Sequence, residues 1–261
     1  MQISPIMGQP ASPAAPSRYV LLLLPSFSAF DLSAMMQALR EANSFDGLQR
    51  YEPLLISEDG QPVEDANGLG TCVDGGLRPL SRHDTVLVFG GKGFKPASTL
   101  PVLSWLRREA RKGAAFGAIG SGAFTLAKAG LLAGKRASAH WAYRAAIAES
   151  CPDLDISRSI YTLEPGRWTC AGGVSTVDLA LALIAQDHGD EVAQFVADRM
   201  ICSAPRTGQH DQVVSVQWRA GIRHEKLAAA MQSMLGEYED PLSPAEIAAK
   251  VGISTRQLER L

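Results

Sequence analysis

The stretch from Arg18 to Leu24 is a continuous apolar run closed by Pro25, the pattern of a parallel strand buried on both faces. Ser26 to Phe30 reads as the loop at its carboxyl end, and Asp31 leads into a helix with apolar positions at Leu32, Met35, Met36 and Leu39. Tyr51 to Ser57 is a second strand. Val63 to Val73, interrupted by Asn67-Gly68 and Gly70, reads as a hairpin. Thr85 to Phe89 is another buried strand and runs straight into Gly90-Gly91-Lys92-Gly93. An amphipathic helix from Leu103 to Lys112 precedes the apolar run Ala114 to Ile119. Lys135 to Ala139 predicts a strand, and His140-Trp141 opens a helix to about Cys151. Strands follow near Ile156 to Leu163 and Trp168 to Ala171, the latter meeting Gly172-Gly173, then helices over Val174 to Gln186 and Glu191 to Cys202. Strands alternating with helices imply an α/β fold with a doubly wound parallel sheet. Ligands in such sheets bind beyond the carboxyl ends of the strands, where Asp31, Gly90, Gly91, Gly120 and His140 are expected to converge.

One stretch organises the rest. After Ala114 to Ile119 come Gly120-Ser121-Gly122, and helical spacing resumes at Phe124, Leu126, Ala127 and Leu131. Strand, tight turn and helix make the arrangement of a nucleophile elbow, in which one exposed residue ends the strand beside the N–H groups of a helix start. Glycine occupies that position here. Ser121 comes one residue late and reads as a helix cap or a hydrogen-bonding group for a ligand. Cys170 precedes Gly172-Gly173 and could approach the pocket, although a lone cysteine in an apolar strand is more often core.

With its continuation Lys135-Arg136-Ala137-Ser138-Ala139-His140-Trp141, this stretch resembles the PfpI-type domain of the class I glutamine amidotransferase-like superfamily, in the version fused to AraC-type transcription regulators. The resemblance implies a flavodoxin-like sheet. In that family the elbow reads Cys, then Thr or Ser, then Gly-Ala-Phe, with His-Trp about twenty positions later. Gly120 therefore stands where the cysteine belongs, Ser121 follows it, and His140 takes the histidine position. The same resemblance puts an acid, Asp31, opposite the elbow and makes Gly90-Gly91 donors to it; the plainer readings are a helix-capping Asp31 and a simple glycine turn. A glycine at the floor leaves space for a ligand, oriented by Asp31, Gly90, Gly91, Gly120, Ser121, Gly122, His140 and Trp141. Trp141 and Trp168 either offer a π face to a cation, with Asp31 as countercharge, or pack in the core.

The 261 residues, 46% hydrophobic, suffice for one α/β domain and a small appendage. No apolar run has the length of a bilayer span. Residues 1–17, rich in Pro, Ala and Ser and without Lys or Arg until position 18, read as a disordered lead-in rather than a signal peptide. Cys72, Cys151, Cys170 and Cys202 have no paired spacing for a metal or redox motif, so a reducing, cytoplasmic setting is expected, with neither metal nor cofactor. The sensing domain is expected over 18–203, and 204–216, broken by Pro205 and Gly208, as a linker.

Residues 217–261 read as the first part of an AraC-type helix-turn-helix. Ser243 with Glu246 is a capping box with Pro244 at the first helical position, Gly252 ends that helix, and Ser254 with Gln257 is a second capping box. Thr255, Arg256, Gln257 and Arg260 lie at or near the exposed face of the second helix, as candidates for DNA contact. The resemblance implies a second such unit after Leu261 in a longer chain. Six basic and six acidic residues cancel between Val216 and Leu261, so the segment by itself is expected to bind DNA poorly. The predicted function is a ligand-responsive regulator with a catalytically dead amidotransferase-like domain, dimeric by resemblance, binding sequence-specific DNA and a small effector such as arginine, glycine betaine or carnitine. The alternative is a PfpI-type hydrolase or lyase using a non-standard nucleophile.

Overall fold

A computed structural model describes residues 15–213, 224–236 and 242–260, which divide after Gln212 into two compact units. The lead-in over 1–14, positions 214–216 of the expected linker and the start of the helix expected from Ile222 lie outside the described residues.

The first unit is built on a six-stranded sheet: β1 (Ser17–Leu23), β2 (Tyr51–Ile56), β5 (Thr85–Gly90), β6 (Ala115–Gly120), β9 (Tyr161–Glu164) and β10 (Arg167–Cys170). The order is β2-β1-β5-β6-β10-β9, and every pairing is parallel except β9 with β10. That antiparallel edge departs from the all-parallel expectation for a local reason. Only Pro165 and Gly166 separate β9 from β10, and a two-residue turn can only reverse the chain. The expected strand Ile156 to Leu163 is likewise two. β8 (Asp155–Ser157) leaves the sheet to pair with β7 (Arg136–Ser138), and β9 begins after Arg158, Ser159 and Ile160. The hairpin expected over Val63 to Val73 is β3 (Val63–Glu64) paired with β4 (Gly70–Thr71).

Alternation along the strands sends neighbouring side chains to opposite faces. Leu21, Leu23, Leu87 and Phe89 join a core with α1 (Ala29–Asn43), α6 (Ser175–His188) and α7 (Asp190–Arg199). Val20, Leu22, Val86 and Val88 join the opposite core, which takes in α2 (Phe94–Ala97), α3 (Leu100–Ala110), α4 (Gly122–Lys128) and α5 (Trp141–Ser150). Both faces being covered explains why these strands are apolar throughout rather than alternating.

In the second unit, α8 (Glu225–Gly236), α9 (Pro244–Lys250) and α10 (Thr255–Leu258) enclose a small core of Ala230, Ile247 and Val251, flanked by Leu242, Ile253 and Leu258. Both capping boxes form: Ser243 accepts from the N–H of Glu246, and Ser254 from that of Gln257, with each Glu or Gln side chain answering its cap's N–H. The Lys226 ammonium donates to the Val251 carbonyl at 2.8 Å and fastens α8 to the end of α9.

Candidate functional site

The elbow forms as the small residues require. Gly120 ends β6 with φ +65°, a left-handed conformation that a side chain resists. A Cβ added there would lie 2.9 Å from the Gly90 carbonyl oxygen, so the floor is tighter than the space expected from the loss of a cysteine. Behind it the chain interlocks. A Cβ on Gly122 would collide with the Val88 carbonyl, one on Gly91 with the Ser26 carbonyl, and one on Gly90 would lie 2.7 Å from the Ser121 hydroxyl. Ser121 is fully buried and donates to the Gly91 carbonyl at 2.7 Å, making no cap bond to α4. The cap or ligand group expected of Ser121 is thus a strut between the elbow and the turn after β5. Gly90, Gly91 and Gly122 serve the same close packing.

Asp31 sits in the first turn of α1, but Ser28 caps that helix, accepting the Asp31 N–H at 3.2 Å. The carboxylate is left to reach the elbow side: it is 4% exposed and accepts the Gly173 N–H at 2.7 Å. Gly172 lies between the two predicted residues, since a Cβ there would be 2.7 Å from Asp31 Oδ2 and 3.5 Å from the Gly120 Cα. Burial raises the Asp31 carboxyl to about 6, against the opposing pull of the Gly173 N–H and the Ser28 and Thr176 hydroxyls. Gly172-Gly173 therefore belongs to the site although it was not among the predicted ligand residues. The signal was present, a glycine pair directly after a strand, the same one that marked Gly90-Gly91.

The Cys170 thiol is fully buried beside the Ser175 hydroxyl at 3.3 Å and takes the Gly172 N–H at 3.4 Å. Burial pushes it up to about 12, which keeps the thiol protonated at neutral pH. Trp168 is a core residue of β10, 8% exposed, and not a π platform.

His140 caps α5, its Nδ1 accepting the Ala142 N–H at 3.2 Å, with its ring against Trp141 and Tyr143 at 5.5 and 5.6 Å. Burial lowers its pKa, which suits a neutral acceptor. Among the described residues no hydrogen bond joins His140 to Asp31 or Gly120. The backbone beside His140 is tied to the end of the first unit: Gln212 accepts the Trp141 N–H at 2.9 Å and donates to the carbonyls of Ala139 and Ser159 at 3.0 and 3.1 Å. Nearby, the buried Asp178 carboxylate accepts the Arg206 N–H and two guanidinium N–H groups at 2.7 to 3.1 Å. Within the expected linker, residues 206–212 are therefore bonded to the sensing unit.

A cavity of about 560 Å³ opens at the carboxyl ends of β1 and β2 and beside the turn after β5, walled by Pro25, Ser26, Glu58, Glu64, Lys92 and Pro96. Ser26 has φ +61°, one of two non-glycine residues with positive φ among those described.

Residues 17–163 match the model of the DJ-1/PfpI family. The chain belongs to that family. It is 38% identical over 242 residues to the HTH-type transcriptional regulator CdhR of Pseudomonas aeruginosa, covering 92% of this chain and 71% of that protein. It is 36% identical over 250 residues to the HTH-type transcriptional regulator ArgR of the same organism, covering 95% and 74%. The crystal structure of an AraC family transcriptional regulator from Pseudomonas putida superposes with a TM-score of 0.62 at 26% identity, covering 71% of this chain and all of that one. Together with the capped two-helix unit, these similarities identify a transcription regulator of the AraC, helix-turn-helix type.

In this DJ-1/PfpI regulator the elbow is intact as a scaffold and carries no nucleophilic side chain at Gly120. In the helix-turn-helix, Arg256 and Arg260 are exposed and Thr255 is half-buried, while the Gln257 amide oxygen accepts from the Ser254 N–H and hydroxyl. Among the described residues no helix is long and apolar enough to cross a membrane.

Proposed function

We propose that the DJ-1/PfpI unit binds a small metabolite at the carboxyl ends of its sheet and that binding, without chemical conversion, alters how the helix-turn-helix unit engages DNA. The observation that carries this reading is the elbow itself. Gly120 offers no attacking atom, the Ser121 hydroxyl is committed to the Gly91 carbonyl, and the Cys170 thiol is buried and protonated. What remains is a closely packed turn with a buried carboxyl, Asp31, behind it and no partner for acyl transfer. Likeness to CdhR and ArgR supports a regulator over an enzyme. The effector class we propose is an amino acid or quaternary amine such as arginine, glycine betaine or carnitine, and the regulator acts as a homodimer.

Thermal-shift and calorimetric titration of the protein against such a panel, with amidase and glyoxalase assays alongside, tests this. Saturable binding without turnover is the expected result. Turnover, or a panel in which nothing stabilises the protein, would count against it.

A further inference from the structure

The sheet changes winding direction between β1 and β5. The chain leaves β1 for α1 on one face and leaves β5 for α2 on the other, so the two connections part and open a crevice between them. The 560 Å³ cavity lies in that crevice, on the α2 side, and its size is that of a small-molecule site.

Its walls are pinned. Glu58 accepts the Thr99 hydroxyl at 2.6 Å, tying the turn after β2 to the start of α3. The Ser26 N–H donates to the Glu64 carbonyl at 2.9 Å, and the Ser26 carbonyl abuts Gly91. Ser26 is held in left-handed backbone at the lip, and strain of that kind collects where a loop is positioned for binding.

The lining carries both charges without pairing them. Lys92 faces the same cavity as Glu58, Asp59 and Glu64, yet none of the four makes an ion pair among the described residues. Leu23, Leu24, Val63 and Ala97 supply an apolar wall between them. A complementary ligand carries a carboxylate for Lys92, a short alkyl chain, and positive charge for the acids. Three carboxylates against one ammonium favour a ligand with net positive charge.

Resting on the proposed sensing role, we infer that this cavity is the effector site and that it takes a cationic amino acid. The carboxylate lies toward Lys92 and the amino groups toward Glu58 and Glu64. The elbow then acts as the rigid backing of the site rather than as its floor.

The test is calorimetric titration of the protein and its Lys92→Met and Glu64→Gln variants with L-lysine, L-norleucine, putrescine and glycine betaine. Both substitutions are at exposed positions. L-lysine is expected to bind best. Lys92→Met should weaken L-lysine about three- to fivefold and leave putrescine, a dication with no carboxylate for Lys92, bound as tightly or more tightly. Glu64→Gln should weaken both diamines by a similar factor. L-lysine binding that neither variant alters would overturn the cavity while leaving a sensing role in place. Binding of betaine without L-lysine would do the same. Silence from all four ligands, and from the wider panel, would overturn the sensing role as well.

Discussion

Substituting Gly120 by alanine tests the elbow geometry quantitatively, because Gly130 provides an internal reference. Both glycines have positive φ, +65° and +77°, but a Cβ on Gly130 meets nothing within 4 Å whereas one on Gly120 meets the Gly90 carbonyl oxygen at 2.9 Å. Gly130→Ala therefore reports backbone strain alone, about 1–2 kcal/mol for an alanine in left-handed conformation. Gly120→Ala adds the crowding, which only a shift of β5 backbone can relieve, at about 1–2 kcal/mol more. Urea denaturation followed by circular dichroism is the assay, with the midpoint read at unchanged slope. The expected order is wild type, then Gly130→Ala, then Gly120→Ala, the last about 2–4 kcal/mol below wild type. In thermal melts each kcal/mol is worth about 2–4 °C for a domain of this size. A Gly120→Ala protein no less stable than Gly130→Ala would refute the tight floor and restore the roomier pocket that the absence of a cysteine suggests.

Three further outcomes follow from the same contacts. Burial lifts the folded-state pKa of Asp31 to about 6, above its value of about 4 in the unfolded chain, so the native state holds a proton there that the unfolded chain releases. Stability should fall by about 2–3 kcal/mol as pH rises from about 4 to 6, and Asp31→Asn should flatten that fall; parallel profiles for the two proteins would contradict it. Asp178→Asn removes the charge that holds Arg206, whose side chain is 41% exposed and can rehydrate, so the cost should be about 1–2 kcal/mol. Trypsin should then cut after Arg206 several-fold faster, and an unchanged rate would mean that the 206–212 segment is held by other bonds. In the full-length protein, Arg256→Ala and Arg260→Ala should each lower the slope of log affinity for DNA against log salt by about 1 if they touch phosphate; unchanged slopes would remove them from the interface.

The fold was readable because its strands are buried on both faces and its helices are punctuated. Short apolar runs at Tyr19 to Leu24 and Val86 to Phe89, each closed by Pro or Gly, mark the buried strands, and the two capping boxes fixed both starts in the helix-turn-helix. What escaped were relations that periodicity does not encode. The turn at Pro165-Gly166 reverses the last strand, and Ser159 splits a stretch that alternation alone would keep whole. At the site, residue type located the elbow but not the direction of each group. Ser121 looks like a cap and points backward to Gly91, and Asp31 looks like a cap and reaches Gly173 across 142 positions. The cavity was missed because its lining comes from three separate segments, over 23–26, 57–64 and 92–99, and only Lys92-Gly93 among them lies in a stretch that the glycine pattern marks.

The central claim is that this DJ-1/PfpI unit reads a metabolite and leaves it unchanged. Fluorescence anisotropy of operator DNA selected from a random pool, titrated with the full-length protein with and without the ligand that stabilises it, tests that most directly, with proton NMR of the ligand before and after. The expected result is a shift in DNA affinity of at least about fivefold with the ligand recovered intact. Superimposable binding curves, or a ligand consumed during the measurement, would contradict it.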